Sequence, residues 1–323
     1  MLIRYIEHLL QWLAVNLGLQ LPEWLEQSLD SLDYHLLSWL LWLFMPLVMA
    51  FVLPIGIVIV MYASILFLHI YKARHRLADA YYSSGMWDWA RMMIATFWEV
   101  QGNIWHGYEI EGLENIPSEG AAVLIYYHGA IPLDFYYIMA KVLIYKNRVM
   151  QLVVDKFLFG VPGFKILLKV FQATVGSVPE CVKLLDEGHI LAIAPGGVRE
   201  ALFGDEHYQL IWGKRCGFAK CALEAKVPII PVFTKNCREA FRTPSWGRNN
   251  LLQLYEKTRL PLVPIYGGFP VKLKTFIGKP IPYDSTLTAP QLAIKTQNAI
   301  EELIHQHQRI PGNVFKALLD RIR

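Results

Sequence analysis

His128 stands where an apolar run, AAVLIYYHG over 121–129, comes to its end, and Asp134 follows within HGAIPLD. A neutral imidazole can take the proton from a hydroxyl while its oxygen attacks a carbonyl. A carboxylate on the second ring nitrogen would fix the tautomer and balance the charge. Asp134 is the nearby acid able to do this, Gly129 keeps the approach open, and free amides at the start of the next helix would suit a developing oxyanion. Taken alone, the spacing equally accommodates a structural or metal-binding His–Asp pair.

A second cluster, PGGVREAL over 195–202, follows the apolar run HILAIA. Adjacent Gly196 and Gly197 let backbone come close to a ligand, and Arg199 and Glu200 set opposite charges there. A phosphate-cradling loop would call for G-x-x-x-x-G-K-[ST], which is absent; a plain turn with a surface ion pair also fits. Lys214 and Arg215 precede the helical pattern of GFAKCALEA, where they suit the phosphates of coenzyme A or of a lipid headgroup, or simply a solvated helix start.

Strands alternating with helices must position these groups. Apolar runs at 121–129, 150–155, 189–195 and 227–236 read as strands. Segments 132–146, 179–187, 216–226 and 289–307 read as helices, with Pro132 at the first helical position and Thr288 capping the last. YEIEGLENIPSEG reads as strand and turn, and 271–284 as a hairpin. The expected fold is an α/β sheet flanked by helices.

Composition adds a membrane. The 323 residues are 54% hydrophobic with mean hydropathy +0.30, and residues 36–71 contain no Lys, Arg, Asp or Glu. Pro46, Pro54 and Gly56 interrupt this block where a hairpin would turn, so two short helices, 36–53 and 55–71, are expected, with a single kinked and tilted span as the alternative. Lys72, Arg74, His75 and Arg76 follow it, whereas Glu23, Glu26, Asp30 and Asp33 precede it, which puts everything after residue 72 in the cytosol. Residues 2–13 have the spacing of an interfacial or packed amphipathic helix. No cleavable signal is expected at the N-terminus. A net charge of +4 without a basic groove disfavours nucleic acid. The four cysteines form no C-x-x-C pair and read as reduced thiols. The expected organisation is an interfacial region at 1–35, a membrane hairpin at 36–71, a helical connector at 72–107, a catalytic domain at 108–308 and a basic amphipathic tail at 309–323.

The order ENIP, strand, YHGAIPLD, PGGVREAL, GFAK and VPIIPVF resembles the lipid acyltransferase superfamily, which includes glycerolipid acyltransferases and diacylglycerol acyltransferases of the second type. The likeness covers roughly 108–305. YHGAIPLDFYYIMAK, YGGFPVKL and HQRIPGN are similar to a subgroup of endoplasmic-reticulum members with a two-helix anchor. The resemblance implies a glycerolipid-acyltransferase-like fold, an enzyme making storage glycerides, and His128 with Asp134 as its catalytic pair. It also implies acyl-CoA as co-substrate without a cofactor or metal, and a glyceride acceptor held in the endoplasmic reticulum membrane.

Two departures bear on the acceptor. Five residues separate His128 from Asp134 where the superfamily has four, so the pair must close through the Pro132 turn. Gly196, Gly197 and Val198 replace the Glu-Gly-Thr of the glycerol-phosphate enzymes, although Arg199 matches their next basic position. A neutral acceptor, mono- or diacylglycerol, is expected ahead of a lysophospholipid or glycerol phosphate. A hydrolase would lack a G-x-S-x-G elbow here, a zinc enzyme would lack H-E-x-x-H, and a non-catalytic lipid-binding protein would tolerate loss of His128.

Overall fold

A computed structural model of the chain describes residues 34–74 and 87–322. The expectations for residues 2–13, for the acidic stretch before the membrane block and for His75 and Arg76 lie outside the described residues. The chain divides into two compact units, Met1–Val52 and Leu53–Arg323. Helix α1, Tyr34–Arg74, runs without a break for 41 residues, about 60 Å at the usual rise. This corrects the expected hairpin. Each proline removes one N–H, but a turn within so apolar a stretch would unpair several backbone groups where no water could replace them. Among the described residues, α1 is the one helix long and apolar enough to cross a membrane, over Trp39–Tyr71 with mean hydropathy 2.7.

In the second unit, Ile65 and Leu68 of α1 are buried in the main core. Helix α2, Asp88–His106, ends on Gly107 in the left-handed conformation. It packs on α3, Leu133–Lys146, closely enough that a Cβ on Gly102 would sit 2.9 Å from the Tyr137 ring. Trp98 stacks on Tyr136 at 5.0 Å, and Lys141 pairs with Glu99 at 2.9 Å.

The sheet contains β1 (Glu109–Glu111), β2 (Ala122–Tyr126), β3 (Met150–Leu152), β4 (Ile190–Ile193), β5 (Ile229–Lys235) and β8 (Lys274–Ile277) in the order β1-β8-β5-β2-β4-β3. Every pairing is parallel except β5 with β8. Both faces are covered, so the strands read as continuous apolar runs. Ala122, Leu124 and Tyr126 enter the core shared with α2 and α3. Val123, Ile125 and Tyr127 face the other core, built with α5 (Val178–Asp186), α7 (Gly217–Glu224) and α10 (Ala289–His307). Thr288 caps α10 in a capping box with Gln291, as its sequence predicts.

Several elements differ from the sequence reading. Residues 271–284 do not fold back on themselves: β8 joins the sheet between β1 and β5, and Ile281 bridges Ile229. Residues 197–203, read as a loop, form helix α6. Helix α4 (Phe164–Val170) and the segment holding α8 (Cys237–Ala240), β6 (Phe241–Arg242), α9 (Arg248–Thr258) and β7 (Tyr266–Gly267) are elements that the sequence reading did not assign. Pro132 is the residue preceding α3, not its first helical position. Helix α11, Val314–Leu319, closes the described chain.

Candidate active site

Strands β5, β2 and β4 run parallel and side by side. Their C-terminal ends therefore open on one edge, the place where open α/β sheets bind ligands. Strand β2 delivers His128 there, β4 leads into Gly196 and α6, and β5 leads into Cys237 and Arg238.

The half-buried His128 places Nδ1 2.7 Å from the Gly129 carbonyl oxygen. A carbonyl only accepts, so Nδ1 carries the proton and Nε2 keeps its lone pair. The tautomer is thus fixed by backbone and not by the carboxylate expected from the sequence. Burial lowers the imidazole pKa to about 4, with the Arg238 charge adding to the effect against the Gly129 bond; the ring is neutral at pH 7.

Asp134 is buried in the first turn of α3. No hydrogen bond or ion pair joins it to His128. Burial pushes its carboxyl up to about 6, countered by the Thr234 hydroxyl, the amides of Asp134 and Phe135, and the Arg238 charge. The Pro132 turn therefore does not close the two into the expected pair: His128 follows β2, and Asp134 sits in the first turn of α3. The amides of Leu133 and Phe135 are bonded to the carbonyls of Ile131 and Pro132, so they are not free for an oxyanion.

Glu200 is the residue that grips the His128 backbone. Its Oε2 accepts from the His128 N–H at 2.9 Å and its Oε1 from the Ile211 N–H at 3.1 Å. The carboxyl is fully buried, and burial pushes its pKa up to about 7 against these two bonds and the Arg238 charge. The Trp212 indole N–H adds to the field while staying outside hydrogen-bond geometry.

Arg238, also buried, completes the scaffold. Its guanidinium donates to the Tyr127 hydroxyl at 2.8 Å, the Ala201 carbonyl at 2.8 Å, the His128 carbonyl at 3.1 Å and the Glu200 carbonyl. Next to it Glu239, buried too, accepts from Tyr208 and from Arg242. Sequence reasoning passed over Arg238, Tyr208 and Glu239. The available signal was NCREAF directly after the strand VPIIPVFTK, the same strand-end logic that marks His128.

The other expected residues separate into distinct roles. Gly129 is buried beside Cys237 and supplies its carbonyl to His128. Gly196 is required because a Cβ there would lie 2.4 Å from Glu200; Gly197 takes φ +51° at the start of α6. Arg199 turns outward to Glu256 at 3.0 Å, away from the pairing its neighbour Glu200 suggested. Arg215 donates to the carbonyls of Pro195 and Gly196 at 2.7 and 2.9 Å and so braces the glycine turn. Lys214 is exposed. A cavity of about 130 Å³ shares Arg238 with this edge and is lined also by Arg242 and Arg248; a larger one of about 580 Å³, beside Trp87 and Phe159–Gly163, touches none of the residues described above.

Comparison with known proteins identifies the family. A family model described as Acyltransferase matches residues 107–235. A human protein named "DGAT1/2-independent enzyme synthesizing storage lipids" is 53% identical, with 93% of this chain and 92% of that protein covered. The mouse protein of the same name is 55% identical over 93% of this chain and 90% of its own length. A solved structure, the LPA acyltransferase PlsC from Thermotoga maritima, is 16% identical with a TM-score of 0.45, covering 75% of this chain and 96% of that one. The chain belongs to the lipid acyltransferase family and is an acyltransferase.

Proposed function

We propose that this acyltransferase moves a fatty-acyl group from an activated donor such as acyl-CoA onto the free hydroxyl of mono- or diacylglycerol, making storage triacylglycerol. The names of its relatives support the storage-lipid product. The observation that carries the chemistry is the bond from His128 Nδ1 to the Gly129 carbonyl, because it leaves Nε2 as a base on the ligand-binding edge of the sheet.

In this reading the acceptor oxygen attacks the thioester carbon as its proton passes to Nε2. The C–S bond then breaks, and the departing thiolate takes the proton back from the imidazolium. Glu200 and Arg238 hold the His128 backbone from its N–H and C=O sides, so the ring enters the reaction preorganised. Asp134 acts through the loop it anchors. Gly196, Gly197 and Arg215 shape the neighbouring wall; Arg199 and Lys214 lie outward, where they suit a donor's phosphates. The apolar α1 supports a setting in which greasy acceptors dissolve in the same bilayer; in this reading the basic residues that follow its apolar stretch put the catalytic unit on the cytosolic side, and the resemblance to endoplasmic-reticulum members suggests that membrane.

The test uses the full chain in lipid, labelled acyl-CoA and a panel of diacylglycerol, monoacylglycerol and lysophosphatidate. His128→Ala is expected to lose about 10²–10⁴-fold in rate. Full activity in that variant would end the general-base reading. Acylation of lysophosphatidate alone would overturn the acceptor, and acceptor-independent release of free fatty acid would assign a hydrolase.

A further inference from the structure

Helix α2 carries a second apolar face that the protein leaves uncovered. Its inner face buries Ala90, Ile94, Ala95 and Trp98. Trp89, Met93, Phe97, Val100 and Ile104, all exposed at helical spacing, share the other side within about 80° of arc. No charge interrupts them: Asp88 at the helix start is bonded to the buried Arg91, and Glu99 turns to Lys141 and Tyr145. On the flank of the stripe the Thr96 hydroxyl is bonded to the Met92 carbonyl, and the exposed Asn103 forms a polar border beyond it. An apolar strip with a polar border suits the boundary between hydrocarbon and headgroups.

The stripe continues at both ends. At its start, Trp89 stacks on Tyr71 of α1 at 5.7 Å and lies 6.3 Å from Phe67, so it adjoins the end of the apolar helix. At its finish, Arg321 donates to the carbonyls of Ile104 and Trp105, tying the chain's last turn to α2. That last segment presents Phe315, Leu319 and Ile322, exposed by 79%, 54% and 84% at i, i+4 and i+7. Exposed apolar patches of this extent mark membrane or protein contacts.

We infer that the outer face of α2, together with Phe315, Leu319 and Ile322, lies in the bilayer interface as a second membrane contact of the catalytic unit. Continuity with α1 selects lipid as the occupant over a second protein surface. Such a contact would hold the catalytic unit against the leaflet. The inference rests on α1 being in the membrane and is independent of the acyl acceptor.

Single spin labels on the full chain in phosphatidylcholine nanodiscs read this directly. Cys216→Ser gives the background, since the other three cysteines are buried. Labels go at Phe97→Cys and Leu319→Cys, with Ile59→Cys on α1 as the lipid control and Gln306→Cys as the water control. The expected result is a shift of the depth parameter to positive values at 97 and 319, as at 59, with oxygen colliding more often than a water-soluble nickel complex. Nickel access at 97 and 319 would overturn the proposal. Labels there reached by neither agent would place a protein on this face and overturn it equally. Nickel access at 59 would remove the membrane basis itself, leaving acyl transfer measured in the same preparation to stand or fall separately.

Discussion

Replacing Glu200 by Gln separates a positioning role from a merely structural one. The wild-type carboxylate holds the His128 and Ile211 amides with one oxygen each. Gln keeps one acceptor and turns an NH₂ toward the other amide, losing a charge-assisted bond worth about 1.5–3 kcal/mol. Stability does not fall by that amount, because ionising Glu200 inside the protein is itself unfavourable. A carboxyl raised from 4.5 to about 7 makes burial of its charge cost about 3 kcal/mol above pH 7. That contribution has a definite sign: the folded state holds the proton more tightly, so its stabilisation is complete below pH 4.5 and is lost as pH rises through 7. The two effects oppose each other in the variant, and its unfolding free energy at pH 8 should stay within about 2 kcal/mol of wild type.

Activity should behave differently. If the lost bond is expressed in the placement of His128, kcat at pH 8 falls roughly 10- to 100-fold with KM unchanged. Below pH 6 the wild-type Glu200 is itself protonated and the gap should close. The wild-type profile should then show an acid limb near pH 7, set by Glu200, well above the His128 pKa of about 4, and the variant should lack it. Steady-state rates across pH 5–8.5, with thermal unfolding of the same samples, provide the measurement. Wild-type kcat in the variant at pH 8, or an equal loss at every pH accompanied by a lower Tm, would refute the reasoning.

Asp134→Asn should cost about tenfold in rate, short of the His128→Ala loss, because the carboxylate makes no bond to the imidazole; a loss matching His128→Ala would instead mean that the two pair in the working enzyme. Gly196→Ala places a methyl 2.4 Å from Glu200 and should destabilise the protein by about 1–3 kcal/mol, read as a drop in Tm, with kcat falling alongside as Glu200 is displaced.

Much of the site was legible because strand ends are legible. An apolar run that stops at His128, and another that stops at PGG, announce two strand ends where reacting groups can sit; that the two are neighbours on one edge follows only from the strand order. The partner of each side chain was not. HGAIPLD puts His128 and Asp134 within reach of each other in sequence, yet the imidazole is oriented by the Gly129 carbonyl one residue away. Arg199 and Glu200, adjacent in sequence, point to an exposed α9 carboxylate and to a buried amide respectively, since neighbours on a helix face different directions. Arg238 was invisible because its four acceptors come from Tyr127 and His128, just past β2, and from Glu200 and Ala201 of α6, segments far from it in sequence.

Local sequence by itself determined the α/β alternation, the cap of α10, the presence of an uncharged apolar block at 36–71 and the position of His128, since each depends on composition, periodicity or one residue's backbone chemistry. Only the tertiary structure decided that β8 runs antiparallel to β5, that α1 passes two prolines without turning, and that Glu200 and Arg238 clamp the His128 backbone. Those outcomes follow from pairing buried donors and acceptors across segments far apart in the chain, a constraint that no local pattern contains.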